Sequence, residues 1–135
     1  MKSAMSKVTI EKLAETKEID GAKRWTEKKG EFVQISYMQE IWHLACFELN
    51  KGFTRGSHFH KIKDEFFYVV KGRLRAVFLD MDTSLREEHI LERGDKLRVE
   101  PRCAHIFYGL EDSLVVEYSS QKYDKEDGYP VEFTD

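Results

Sequence analysis

From Glu31 onward the chain reads as short apolar runs cut by glycine, asparagine, aspartate and charged residues. The runs are Phe32–Met38, Ile41–Leu49, Phe66–Val70, Leu74–Leu79, His89–Leu91, Leu97–Val99, His105–Tyr108 and Leu114–Tyr118. They are rich in β-branched and aromatic residues, and their regular spacing predicts the strands of an all-β sandwich or barrel. No long helical pattern separates them, which argues against a parallel α/β sheet. Residues 1–30 are charged and weakly patterned. They are expected to form an N-terminal arm, with a short strand at Val8–Ile10 and a turn at Ile19-Asp20-Gly21. Residues 31–135 are expected to form one barrel.

The stretch around Gly72 predicts more detail. Val70-Lys71-Gly72-Arg73 has the length of a two-residue hairpin turn, with Gly72 free to adopt positive φ. That register pairs Val70 with Arg73, Phe67 with Ala76 and Glu65 with Phe78. Side chains alternate along a strand, so Glu65, Phe67, Val69, Leu74, Ala76 and Phe78 share one face. Phe66, Tyr68, Val70, Arg73, Arg75 and Val77 share the other. The first face is apolar apart from one carboxylate, and a buried carboxylate among phenylalanines is costly unless it is paired or bound to a cation.

Composition narrows the classes. The 135 residues are 41% hydrophobic and 13% aromatic, enough for one core. Lys and Arg total 22 against 25 Asp and Glu, a net charge of -3 that leaves no overall basic field for nucleic acid. No apolar run is long enough for a membrane-spanning helix, and no leader follows Met1–Lys7. Cys46 and Cys103 are too few for a disulfide framework and read as reduced thiols of a cytoplasmic protein.

The chemistry concentrates between His58 and His105. His58 and His60 stand two apart, so on a strand both imidazoles project from one face. Glu65 follows five residues later, and His105 comes from a distant strand. Three imidazoles and a carboxylate suit one divalent transition metal such as Mn, Fe, Ni or Zn; calcium would want more oxygens.

These residues resemble the cupin superfamily. The first cupin motif is Gly, five residues, His-x-His, four residues, Glu, six residues, Gly. Here it reads Gly52, His58-Phe59-His60, Glu65 and Gly72, every fixed position filled. The second motif keeps Gly94 and His105, but Glu100 stands for its Pro, Arg102 for its Gly and Gly109 for its Asn. The resemblance implies a small antiparallel β-barrel or jelly roll with His58, His60, Glu65 and His105 as metal ligands inside its mouth. It also implies a homodimer. A second subunit or the N-terminal arm is expected to cover the outer row of Phe66, Tyr68 and Val70.

Cupins span several reaction classes, so the fold alone chooses none. Arg55-Gly56-Ser57-His58-Phe59-His60-Lys61 is similar to the signature of cupins that act on activated sugars in surface-polysaccharide pathways. Some of those relatives use the histidines as bases without a metal. The resemblance implies a sugar isomerase or epimerase with Arg55 on phosphate or sugar oxygens. Lys61, which flanks the histidine pair, and Phe107, which shares the face of His105, are expected to meet the same anionic, sugar-like ligand. His43 is the preferred general base among His43, Glu48, Tyr37 and Tyr108, because Ala45, Phe47 and Leu49 on its face are core-like. A dioxygenase or decarboxylase, or a non-catalytic binding module, stay open.

Overall fold

A computed structural model describes residues 5–134. Twelve strands run in the order β1 (Val8–Lys12), β2 (Lys23–Glu27), β3 (Gly30–Gln34), β4 (His43–Leu49), β5 (Thr54–Phe59), β6 (Glu65–Lys71), β7 (Arg73–Asp80), β8 (Arg86–Glu92), β9 (Asp95–Val99), β10 (Cys103–Gly109), β11 (Ser113–Ser119) and β12 (Tyr129–Pro130). A short 3-10 turn, Lys125–Asp127, precedes β12. Two antiparallel five-stranded sheets form the body, β1-β9-β6-β11-β4 and β12-β5-β10-β7-β8, and β2 pairs with β3 in a separate hairpin. This is the expected jelly roll. No helix among the described residues is long and apolar enough to cross a membrane.

The core lies between the sheets. Phe67 and Val69 from β6, Leu74, Ala76 and Phe78 from β7, Leu97 and Val99 from β9, and Phe107 and Val115 meet there, all buried. The face read from alternation is therefore the inner face: Glu65, Phe67, Val69, Leu74, Ala76 and Phe78 are all buried. The hairpin pairing is corrected. β6 hydrogen-bonds to β9 and β11, whereas β7 bonds to β10 and β8. Lys71-Gly72 is thus a corner that carries the chain from one sheet to the other. Alternation is a local property and survives the crossing; the identity of the pairing partner is not local.

The amino-terminal segment is more structured than an arm. β1 extends the first sheet through β9, with Val8 opposite Val99 and Ile10 opposite Leu97. The β2–β3 hairpin stacks Trp25 on Phe32 at 4.5 Å and holds Arg24 between Glu15 (3.1 Å) and Glu31 (3.3 Å). Arg24, Glu31 and Arg93 surround the hydroxyl of Tyr68, which is buried. The Lys96 ammonium donates to the Ile35 carbonyl at 3.0 Å and ties the segment after β3 to the same surface. The chain itself thus covers Tyr68, the centre of the outer row. Residues 1–4 lie outside the described residues.

Candidate active site in the barrel cavity

β5 and β10 place two histidines face to face. His58 pairs directly with His105, and the register shifts by one residue just beyond. That approach is close: a Cβ on Gly56 would meet the His105 carbonyl oxygen at 2.7 Å, and Gly56 has a φ of +107. Glycine is required there on both counts. Glu65 enters from the other sheet at the start of β6, opposite Val99 and Ser119. Arg102, which stands for the second-motif glycine, adopts a φ of 67, in the left-handed region that glycine favours. Its backbone N–H donates to the His60 carbonyl at 2.6 Å and its Nε to Asp82 at 2.8 Å. The loop therefore keeps the geometry that the missing glycine would favour, held by these contacts.

Three of the four expected ligands lie together, and His60 stands beside them. His58, Glu65 and His105 each offer a ligand atom within 4.8 Å of the others. His60 is outside that set, with its Nε2 3.3 Å from Glu65 Oε1; His105 Nε2 is 3.5 Å from the same oxygen. His60 Nδ1 donates to the Asp127 carbonyl at 2.5 Å, which leaves the lone pair on Nε2. That Nε2 is buried and has no hydrogen-bond partner, a state a bound cation or ligand would relieve. The donor set fits a divalent transition metal.

Charge is shared unevenly across the cluster. Burial, with the His105 and His60 charges, lowers His58 to about 4. Burial lowers His105 as well. Burial also acts to lower His60, but the Glu65 carboxylate and the Asp127 carbonyl outweigh it and raise His60. Burial acts to raise Glu65; His60, His105 and Lys63 overcome it and bring it down to about 2.

These groups line a cavity of about 290 Å³ shared with His43, Arg55, Lys63, Phe107, Glu117 and Tyr123. His43 faces inward, as its alternation with Ala45 and Phe47 predicts; Glu48 points away and is exposed. Phe107 is buried against Phe67, ring centroids 5.1 Å apart. Arg55 stands at the mouth with its guanidinium 5.0 Å from the Phe47 ring, and its Nε donates to the Glu48 carbonyl. Lys61 is corrected: its ammonium lies 4.5 Å from the Tyr129 ring and it does not line the cavity. The loop after His60 turns there, because the Asp127 carboxylate accepts the backbone N–H groups of Lys61, Ile62 and Lys63 at 2.9, 3.2 and 3.0 Å.

Three lining residues escaped the sequence reading. Lys63, not Lys61, is the second cation: it is buried, with Nζ 3.6 Å from Glu65 Oε2. Tyr123 stands at the rim, 6.1 Å from the His43 ring. Glu117 projects from the wall between β4 and β6. Its signal was present in the alternation of Val115, Glu117 and Ser119; Lys63 lies in a loop whose path depends on Asp127.

Among curated proteins, the chain is 28% identical over 106 residues to a UDP-2-acetamido-2,6-beta-L-arabino-hexul-4-ose reductase of Pseudomonas aeruginosa. The match covers 75% of this chain and 28% of the relative, so the chain spans under a third of that protein's length. Among solved structures, a dTDP-6-deoxy-D-glucose-3,5-epimerase of Legionella pneumophila superposes with a TM-score of 0.80 at 14% identity, covering 98% of this chain and 77% of that one. A TDP-quinovose 3,4-ketoisomerase of Campylobacter jejuni superposes with a TM-score of 0.77 at 15% identity, covering 93% and 94%. At such identities the superpositions establish the shared fold. The cupin domain family matches residues 45–118, more than half of the chain and the stretch that holds the histidine–glutamate cluster, so the chain belongs to the cupin domain family.

Proposed function

We propose that the chain is a sugar isomerase or epimerase that acts on a nucleotide-linked sugar or sugar phosphate. The observation that carries this reading is the single cavity in which His58, His60, Glu65 and His105 converge beneath two cations, Arg55 and Lys63. Supporting it, the proteins of this fold named above are an epimerase and a ketoisomerase of nucleotide-linked sugars, and the curated relative carries a nucleotide-sugar name.

In this reading His58, His60, Glu65 and His105 hold one divalent transition metal: Mn, Fe, Ni or Zn. When bound, it supplies Lewis acidity that polarises a keto group and acidifies the neighbouring C–H. Arg55 binds phosphate at the mouth, where its planar fork matches the oxygens. Phe107 and Phe47 exclude water from below. His43 sits on the wall within reach of a sugar carbon. One observation favours a variant of the reading. Lys63 already places a positive charge 3.6 Å from Glu65, so the same cluster can operate with that ammonium as its only cation. We also infer a homodimer, argued below from the edge of β4.

Two measurements test the proposal. Protein loaded with Mn, Fe, Ni or Zn in turn and then desalted should retain about one metal per chain, and His105→Ala should lose most of it. Wild-type protein that retains none of the four removes the metal and leaves the Lys63 variant. Calorimetry with dTDP- and UDP-linked keto sugars should show binding, about tenfold weaker in Arg55→Ala. Absence of binding to every member of that panel overturns the sugar reading.

A further inference from the structure

Glu117 occupies an unusual place. It lies on β11, opposite Ala45 of β4 on one side and Phe67 of β6 on the other. All three side chains line the cavity. The other inward or buried carboxylates are committed. Glu65 faces His60, His105 and Lys63; Asp127 takes three backbone N–H groups; Asp80 takes the Lys7 ammonium. Glu117 has no hydrogen-bond or ion-pair partner among the described residues. A half-buried carboxyl among alanine and phenylalanine with nothing to bind is unfavourable for folding, and such groups persist where a ligand uses them.

We propose that Glu117 is the proton-carrying catalytic residue of this cavity, taking the hydrogen from the carbon beside the substrate's keto group and delivering it to the former keto carbon. The proposal rests on the isomerase reading above. In the first half the C–H bond breaks, its electron pair enters the carbon–carbon bond, and the keto oxygen takes the negative charge while Glu117 holds the proton. In the second half Glu117 gives that proton to the former keto carbon. The proton of the neighbouring hydroxyl passes to the former keto oxygen, and the keto group has moved by one position. No oxidant or reductant is required.

The surroundings fit a base of this kind. His43 is a diagonal neighbour on the same wall, since His43 pairs with Ser119 and Ala45 with Glu117. The charged groups facing Glu117 are Glu65 from β6, Lys63 from the preceding loop, His43 from β4 and Arg55 from β5. Burial, joined by the Glu65 charge, raises the Glu117 carboxyl above its ordinary value, against Lys63, His43 and Arg55. A carboxylate made more basic in this way is better matched to proton abstraction near neutral pH. Glu117 also stands on the sheet wall that carries Glu65, so a sugar lying over the cluster presents one ring face to it.

The test uses the whole chain and TDP-4-keto-6-deoxyglucose, with its UDP counterpart, in deuterium oxide. Wild-type protein should move the keto group by one position, with or without deuterium on the carbon that receives the proton, read by NMR. Glu117→Gln should slow this by about a hundredfold or more, with binding by calorimetry within about threefold of wild type. Glu117→Ala should regain the keto shift in the presence of formate, a response that a purely structural role does not give. If Glu117→Gln folds poorly, Glu117→Asp, which keeps the carboxylate, and the formate rescue decide. A full keto shift in Glu117→Gln overturns the assignment and leaves the isomerase reading standing. Binding with neither a keto shift nor deuterium uptake in wild type overturns both.

Discussion

Asp127 lies outside the stretch that the family match covers, yet it positions two parts of the site. Its carboxylate fixes the loop that turns Lys63 inward, and its carbonyl sets the tautomer of His60. Removing a buried acceptor strands three backbone donors, so Asp127→Ala should cost about 3 kcal/mol in urea unfolding. The same variant should turn the His60 ring from one tautomer to a mixture, read from its nitrogen shifts; an unchanged ring would show that the carbonyl holds His60 without the loop. Asp80 makes a second residue-scale case. Its carboxylate accepts Lys7 Nζ at 2.6 Å and the Asp82 and Thr83 N–H groups at 2.8 and 3.4 Å. Burial acts to raise this carboxyl, but the Lys7 ammonium and these donors outweigh it and hold it below its ordinary 3.8. A depressed folded value means that the stabilisation is complete above the unfolded pKa and is lost as pH falls through the folded one. Asp80→Asn should therefore cost about 1–2 kcal/mol at pH 7, with the gap to wild type closing below pH 3.8. Denaturant midpoints on either side of that value check it, and a gap that persists in acid would remove the charge from the account.

At the scale of elements, the corner at Gly72 is the most closely packed of the glycine positions. Its φ is +96, and a Cβ there would meet Ser113 Oγ at 2.1 Å, Ser113 Cα at 2.6 Å and the Asp112 carbonyl at 2.7 Å. Gly52 has a similar φ of +88 with nothing within 4 Å. Gly72→Ala should then cost about 3 kcal/mol or more, backbone strain plus overpacking, and Gly52→Ala only about 1 kcal/mol from strain. Equal thermal shifts in the two variants would refute the packing half of that difference. The same corner shows what the sequence could and could not convey. Alternation gave the inner face of β6 and β7 correctly, because parity is written residue by residue. Partner strands are chosen by the whole sandwich, and a two-residue glycine turn looks alike whether the chain folds back or crosses over. His58, His60 and Glu65 were legible because their spacing is fixed by β5, β6 and the loop between them, and His105 because its place in the second motif is kept. His43 and Phe107 were legible by alternation, and Arg55 from the signature around the histidine pair. Lys61 and Lys63 exchanged roles because Asp127, more than sixty residues downstream, dictates the loop between them. β2, Lys23–Glu27, was missed because it carries charge where a buried strand would carry apolar residues, and the expected strand Phe32–Met38 caught only the end of β3, Gly30–Gln34.

For the molecule as a whole, β4 is one of the sheet edges, with β1, β8 and β12. It ends the first sheet, and no strand pairs with its outer side among the described residues. Such an edge presents unpaired backbone groups to any second chain. Its surroundings are apolar where solvent would favour charge: Trp42 is 65% exposed, Leu44 67% and Met38 91%, with Ile41 and Tyr37 alongside. The backbone N–H of Trp42 donates to the Ser119 carbonyl at 3.0 Å, so this patch is held against the end of β11. The outer row of Phe66, Tyr68 and Val70 no longer calls for a partner, since β2–β3 covers its centre; the β4 patch does. We propose a second copy of the chain as the occupant, because two β4 edges related by a twofold axis present the same residues to each other. A stable interface needs about 800 Å² from each partner. Light scattering at micromolar concentration should give twice the 16.0 kDa of one chain. Leu44→Lys, placed on the outer side of β4 away from the cavity, should return the single-chain mass without loss of thermal stability beyond about 1 kcal/mol. Wild-type protein running at 16.0 kDa overturns the dimer, and a Leu44→Lys variant that stays dimeric moves the contact to another edge.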